Sequence, residues 1–93
     1  MFYLFKAYGC LVKHQFEAAF ICYEKAGKLD ELATFNKYIC EGILKLKAKE
    51  YNQALRSFSM ASILLPNNKN GYLYQAIAHV ASYLTTKYPL VFY

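Results

Sequence analysis

The sequence predicts an all-α protein in which antiparallel helical hairpins stack into a short solenoid of about five helices. Apolar residues recur at steps of three and four, without the alternation of a strand. Residues of matched size and type also recur 35 and then 34 positions apart, which is typical of a helical repeat. The matched pairs are Tyr3/Tyr38, Ala7/Gly42, Leu11/Leu46, Phe16/Tyr51, Ala19/Ala54, Tyr23/Phe58 and Ala26/Ala61, continued by Tyr38/Tyr72 and Gly42/Ala76.

The first two helices are expected to form one hairpin. The first runs from about Phe2 to Val12, and a short turn over residues 13–15 follows it. The second covers about Phe16–Ala26, and Gly27 is placed to close it in the left-handed conformation that glycine adopts without strain. Small residues at the crossing of the two helices allow their backbones to approach closely.

Asp30 is a suitable N-cap for a third helix that extends to about Ala48. Its first turn is acidic and its last turn carries lysines, as the helix dipole favours. A second turn then leads into a fourth helix, Asn52–Leu65, which Pro66 ends because proline lacks a backbone N–H and clashes with the preceding turn. These two helices form the second predicted hairpin.

The polar run over residues 67–71 is the longest predicted loop, and a fifth helix follows from about Gly71 to Lys87. We expect the whole chain, 1–93, to be a single domain. Its predicted parts are repeat 1 over 2–33, repeat 2 over 35–68, a third first-helix or capping helix over 70–87, and a tail over 88–93.

At these spacings the chain resembles the tetratricopeptide repeat (TPR) family, whose pattern is an aromatic residue, a Leu-Gly pair, a Tyr, Ala-x-x-x-Phe and a closing Pro. Glu41 and Lys45 depart from the usual Leu and Tyr, and Glu31 stands where the first unit would carry its Pro. The second unit matches through Tyr38, Gly42, Tyr51, Ala54, Phe58, Ala61 and Pro66, and the first through Tyr3, Ala7, Phe16, Ala19, Tyr23 and Ala26.

The resemblance implies a protein–protein interaction module, an adaptor or chaperone, because in this family the first helix of each hairpin lines a groove for a partner peptide. The expected groove residues are apolar, which disfavours the clamp that some members form around a peptide carboxylate. Two asparagines are expected either to bond a partner backbone or to cap helices. The full set is Leu4, Tyr8, Leu11, Asn36, Ile39, Ile43, Leu46, Asn70, Leu73, Ile77 and Val80.

The alternative is a structural subunit or fragment of a larger helical-repeat scaffold that self-associates. An apolar stripe at helical spacing is also typical of a core, and the apolar ends of the chain, 2–5 and 90–93, lack the polar faces of an isolated array. The expected partner is therefore another protein with an apolar or amphipathic segment, or a second copy of the chain. An RNA-binding helical repeat is a third and weaker hypothesis.

Composition narrows the function further. Of 11 basic residues only Arg56 is an arginine, which disfavours nucleic-acid recognition although the net charge is +5. Three cysteines without a C-x-x-C pair indicate neither disulfides nor zinc, so we expect a reducing, cytoplasmic location. Cys10 and His14 lack a third residue to orient them as a catalytic pair. We expect no catalysis, cofactor, metal, small-molecule substrate or membrane span.

Overall fold

A computed structural model describes residues 2–27 and 30–87, except for the side chains of Phe2, Leu4 and Phe5. Within this part of the chain the structure is all-α, and each helix packs against the next one along the sequence. The predicted fold class is confirmed. The helices are α1 (Phe2–Val12), α2 (Phe16–Lys25), α3 (Glu31–Lys47), α4 (Tyr51–Leu64) and α5 (Lys69–Lys87).

The repeat is visible in the backbone of the two hairpin turns. His14, between α1 and α2, has a φ of 60°, and Lys49, between α3 and α4, has a φ of 64°. The backbone N–H of each donates to the carbonyl three residues earlier at 3.0 Å, on Leu11 and Leu46 respectively. These two turns therefore share one conformation at positions 35 residues apart in the sequence.

Helix ends agree with the predicted ones to within one residue, with one exception. Gly27 has a φ of 77° just after α2, and the Asp30 carboxylate accepts a hydrogen bond from the Ala33 N–H at 2.8 Å. The exception is α5, which begins two residues before the predicted start at Gly71. The Asn68 side chain accepts a hydrogen bond from the Asn70 N–H at 3.0 Å, which satisfies a free donor of the first turn and lets the helix begin inside the polar run.

The core consists of two apolar clusters that meet at α3. One joins α1, α2 and α3, and the other joins α3, α4 and α5. Small residues lie at the centres of the helix pairs, as the sequence predicted. The first cluster is Ala7, Ala19, Cys22, Tyr23 and Cys40, and the second is Phe35, Ile39, Ile43, Ala54, Phe58, Ala61 and Ala78.

The interface between α4 and α5 also contains polar contacts. Ser62 Oγ donates to Gln75 Oε1 at 2.9 Å, and Gln75 Nε2 donates to Ser59 Oγ at 2.8 Å. Farther along, the Tyr51 hydroxyl lies 3.0 Å from Thr85 Oγ1. These bonds satisfy polar groups that would otherwise be costly to cover, and they hold α5 at one rotation against α4.

No helix in the described ranges is long and apolar enough to cross a membrane.

Candidate partner-binding surface

Two of the predicted groove residues are buried in the core instead of lying on an open face. Ile39 and Ile43 are only 5% and 6% exposed, and they pack in the second core cluster with Phe58 of α4. They are buried because α3 is the middle helix of the stack, with neighbours on both sides. The predicted face therefore does not form one continuous partner groove. Leu46 is half-buried against the same cluster, and the side chain of Leu4 lies outside the described residues.

A small cleft is lined by residues of α1, α2, α3 and α5, and we call it the asparagine cleft. Its volume is about 160 Å³. Of the predicted residues it brings together Leu11, Asn36, Asn70 and the edge of Ile39, whereas its other lining residues were not predicted. The full lining is Leu11, His14, Phe16, Phe35, Asn36, Ile39, Asn70 and Tyr74.

The two asparagines of this cleft differ in their surroundings. Asn36 is half-buried inside α3, whose N-cap is Asp30, so it does not cap that helix. Its side chain hydrogen-bonds to Tyr23 of α2. Burial raises the pKa of the Tyr23 phenol above its usual 10.0, and the bond to Asn36 partly opposes that rise. Asn70 is exposed in the first turn of α5, where its backbone N–H, not its side chain, takes part in the cap.

A second cleft of about 170 Å³ shares Asn36 with the first. We call it the Tyr8 cleft, because Tyr8 is 62% exposed and forms its outer wall. Besides Asn36, its lining includes the carboxylate of Asp30, the N-cap of α3. The lining is Tyr8, Tyr23, Asp30, Leu32, Ala33 and Asn36. The two clefts thus share one amide.

The remaining predicted residues lie on the outer surface of α5. Leu73, Ile77 and Val80 are 57%, 43% and 57% exposed, and none of them lines either cleft. Tyr72 and Ala76, which were not predicted as site residues, are exposed beside them. We call these five residues, Tyr72, Leu73, Ala76, Ile77 and Val80, the α5 stripe.

A wider and shallower depression of about 640 Å³ lies between α2 and α3. Its lining residues include Phe16, Ile21, Leu44 and Lys47. None of the predicted groove residues lines it. Lys47 lies over the Phe16 ring at 5.1 Å from its centroid, so the charge and the ring already contact each other there. The predicted groove was drawn along the first helix of each hairpin, so it did not include this depression between α2 and α3.

The cysteines and histidines do not converge on a metal-ligand cluster in the described residues. Cys10, Cys22 and Cys40 are free thiols, and burial raises the pKa of the Cys40 thiol to about 12. The His14 ring lies against Phe16 with the ring centroids 5.7 Å apart. That ring contact gives His14 a packing role in its turn.

Comparison of the chain with protein-family models, curated proteins and solved structures found no match. The resemblance to the TPR family therefore rests on the residue pattern and stays a prediction.

Proposed function

We propose that this protein is a protein–protein interaction module, an adaptor or chaperone, that holds an apolar segment of a partner polypeptide in the asparagine cleft and the adjoining Tyr8 cleft. The observation that carries the proposal is the asparagine cleft itself. Helices α1, α3 and α5 all contribute to it, and it combines apolar walls with two amides. The resemblance to TPR proteins favours the same side of the helices.

The size of the asparagine cleft favours a peptide side chain as its occupant. Pockets for small molecules usually enclose about 300 to 1,000 Å³, whereas this cleft encloses about 160 Å³. The Tyr8 cleft is of similar size and shares Asn36 with it. Two small clefts that share one amide suit two anchoring side chains of a single segment.

The amides suit the main chain of that segment. An asparagine side chain offers two donors and an acceptor, and the bond from Asn36 to Tyr23 uses only part of that capacity. The Asn70 side chain is exposed at the rim. Extended peptides are commonly held by bonds to their backbone, with pockets selecting their side chains.

The test is selection of 12-residue peptides from a displayed library against the full chain, followed by fluorescence binding of the selected peptide. The Asn70→Ala variant should bind about five-fold more weakly, because one hydrogen bond contributes about 1 kcal/mol. Asn67 is exposed in the nearby turn and lines neither cleft, so Asn67→Ala is the matched control and should bind as the parent does. Selected peptides that are indifferent to Asn70→Ala, or a selection that yields none, would refute the proposal.

The second candidate is the structural subunit of a larger helical-repeat scaffold. The exposed apolar α5 stripe favours it, because the last helix of an isolated array normally presents a polar face. Sedimentation of the full chain at several concentrations tests this candidate. Concentration-dependent growth beyond a monomer supports it, and a monomer at all concentrations contradicts it.

A further inference from the structure

Every residue of the α5 stripe stands 34 positions after a residue of α3 that is covered. Leu73, Ala76 and Ile77 are exposed in α5, whereas the corresponding residues of α3 are buried. Tyr72 and Val80 are exposed as well, and their counterparts in α3 are half-buried. The corresponding α3 residues are Tyr38, Ile39, Gly42, Ile43 and Leu46. The stripe therefore has the same apolar pattern as a surface that this fold buries.

In α3, the helix that covers this surface is α4. Gly42 lies so close to Phe58 that an added methyl group would overlap the ring, and Ala54 of α4 belongs to the same core cluster as Ile43. No described helix covers the corresponding surface of α5, and the residues of the α5 stripe are exposed. Ala76 at the centre of the stripe leaves room for a close approach, as Gly42 does.

The charges of α5 indicate the chemistry of what covers it. Its cationic residues, Lys69 and Lys87, are exposed at its two ends, and α5 contains no acidic residue. A helix lying along the stripe would pass these two lysines. Acidic residues along the margins of such a helix would be complementary to them.

We propose that the α5 stripe docks one amphipathic α-helix of a different polypeptide, with small and aromatic residues on its apolar face and acidic residues at its margins. This helix occupies on α5 the place that α4 occupies on α3. The surface is separate from the asparagine cleft, and the proposal does not depend on the function assigned to that cleft.

A second copy of this chain fits the stripe less well. If two α5 helices packed antiparallel, Lys69 of one would lie beside Lys87 of the other, and a parallel pair would bring identical lysines together. Neither arrangement offers an acidic residue from α5. Like charges at close range oppose such a pairing.

The test uses the full chain and a fluorescein-labelled synthetic peptide with the α4 sequence, Tyr51–Leu64. In the peptide, the two outward-facing residues Gln53 and Arg56 are replaced by Glu. A second peptide carries Lys at both positions. We expect the acidic peptide to bind in fluorescence anisotropy, and the basic peptide to bind at least about ten-fold more weakly at low salt.

Two isoleucine variants locate the binding surface. Ile77→Asp should weaken binding of the acidic peptide at least about ten-fold, because it places a charge at the centre of the docking surface. Ile63 lies on α4 and is 74% exposed, so Ile63→Asp is the matched control and should leave binding unchanged. If circular dichroism shows that Ile77→Asp does not fold, Val80→Asp is the second stripe variant. Asn70→Ala should bind the acidic peptide as the parent does, because Asn70 lines the asparagine cleft and not the stripe.

Three outcomes would overturn the proposal. The first is absence of binding by the acidic peptide. The second is an equal loss of binding in the Ile63→Asp control. The third is a dimer of the parent chain, seen by sedimentation, that Ile77→Asp dissociates, because a second copy would then be the occupant of the stripe.

Discussion

Gly42 of α3 faces the ring of Phe58 of α4 so closely that the side chain of any other amino acid would overlap that ring. Phe58 is fully buried and has little freedom to move aside. The two helices therefore approach each other at a position where the sequence provides no side chain on one side and a large aromatic one on the other. This contact determines how closely the second hairpin packs.

The Gly42→Ala variant should lower the free energy of unfolding by about 1 to 3 kcal/mol, because the added methyl group overpacks the helix pair. Urea titration followed by circular dichroism measures the change. Gly9 in α1 is the control, since a methyl group added there meets no atom within 4 Å. Gly9→Ala should raise stability by about 0.5 to 1 kcal/mol through helix propensity alone, and equal losses in both variants would contradict the packing argument.

Ile43→Asp and Ile77→Asp place the same charge at equivalent positions of α3 and α5. The first should destabilise the fold, and the second should leave it nearly unchanged. Ile43 is buried among apolar residues, so its replacement should destabilise the fold by at least about 4 kcal/mol. Ile77 is 43% exposed, so helix content should stay close to that of the parent. Thermal melts by circular dichroism distinguish the two. A folded Ile43→Asp variant would place Ile43 on a surface after all.

Removing the N-cap of α3 should destabilise the protein measurably. In Asp30→Ala the Ala33 N–H loses its partner, and we expect a loss of about 0.5 to 2 kcal/mol. Gln15 holds the corresponding position before α2 but makes no side-chain cap bond. Gln15→Ala should therefore change the urea midpoint much less, and the idea fails if both variants lose the same stability.

Stability should decline in alkaline solution because of Cys40. Burial raises its thiol pKa from the ordinary 9.0 to about 12, so above pH 9 the unfolded chain releases a proton that the folded chain keeps. The folded state then binds more protons, and the free energy of unfolding falls as pH rises, by at most about 1.4 kcal/mol per pH unit. Urea titrations at several pH values above neutral give the free energy of unfolding at each pH. For Cys40→Ala this free energy should fall less steeply with pH than it does for the parent. An unchanged slope would assign the effect to other groups.

Much of the fold could be predicted because its signals are local. Apolar periodicity placed the helices, Gly27 and Pro66 marked two of their ends, and Asp30 marked a start that its hydrogen bond to Ala33 confirms. The start of α5 was missed because the Asn68 side chain caps the helix within a run that otherwise has loop composition.

The candidate site was harder to predict because exposure depends on the number of neighbouring helices. Ile39 and Leu73 share a repeat position and an apolar character. Ile39 lies in the middle of the described helices and is buried, whereas Leu73 lies in the last described helix and is exposed. A comparison of residue types along the chain treats the two alike. Tyr74 and Phe35 became part of the asparagine cleft only through the packing of α5 on α3 and α4.

The pair of hydrogen bonds that Gln75 makes with Ser59 and Ser62 has a consequence for how α5 can respond to solvent. An end helix with an apolar outer face could in principle roll to hide that face. Rolling α5 would separate Gln75 from both serines and leave their polar groups covered without partners, at a cost of about 1 to 3 kcal/mol for each. The hydrogen bonds of the two serines with the glutamine thus fix the rotation of α5, so its apolar side stays exposed.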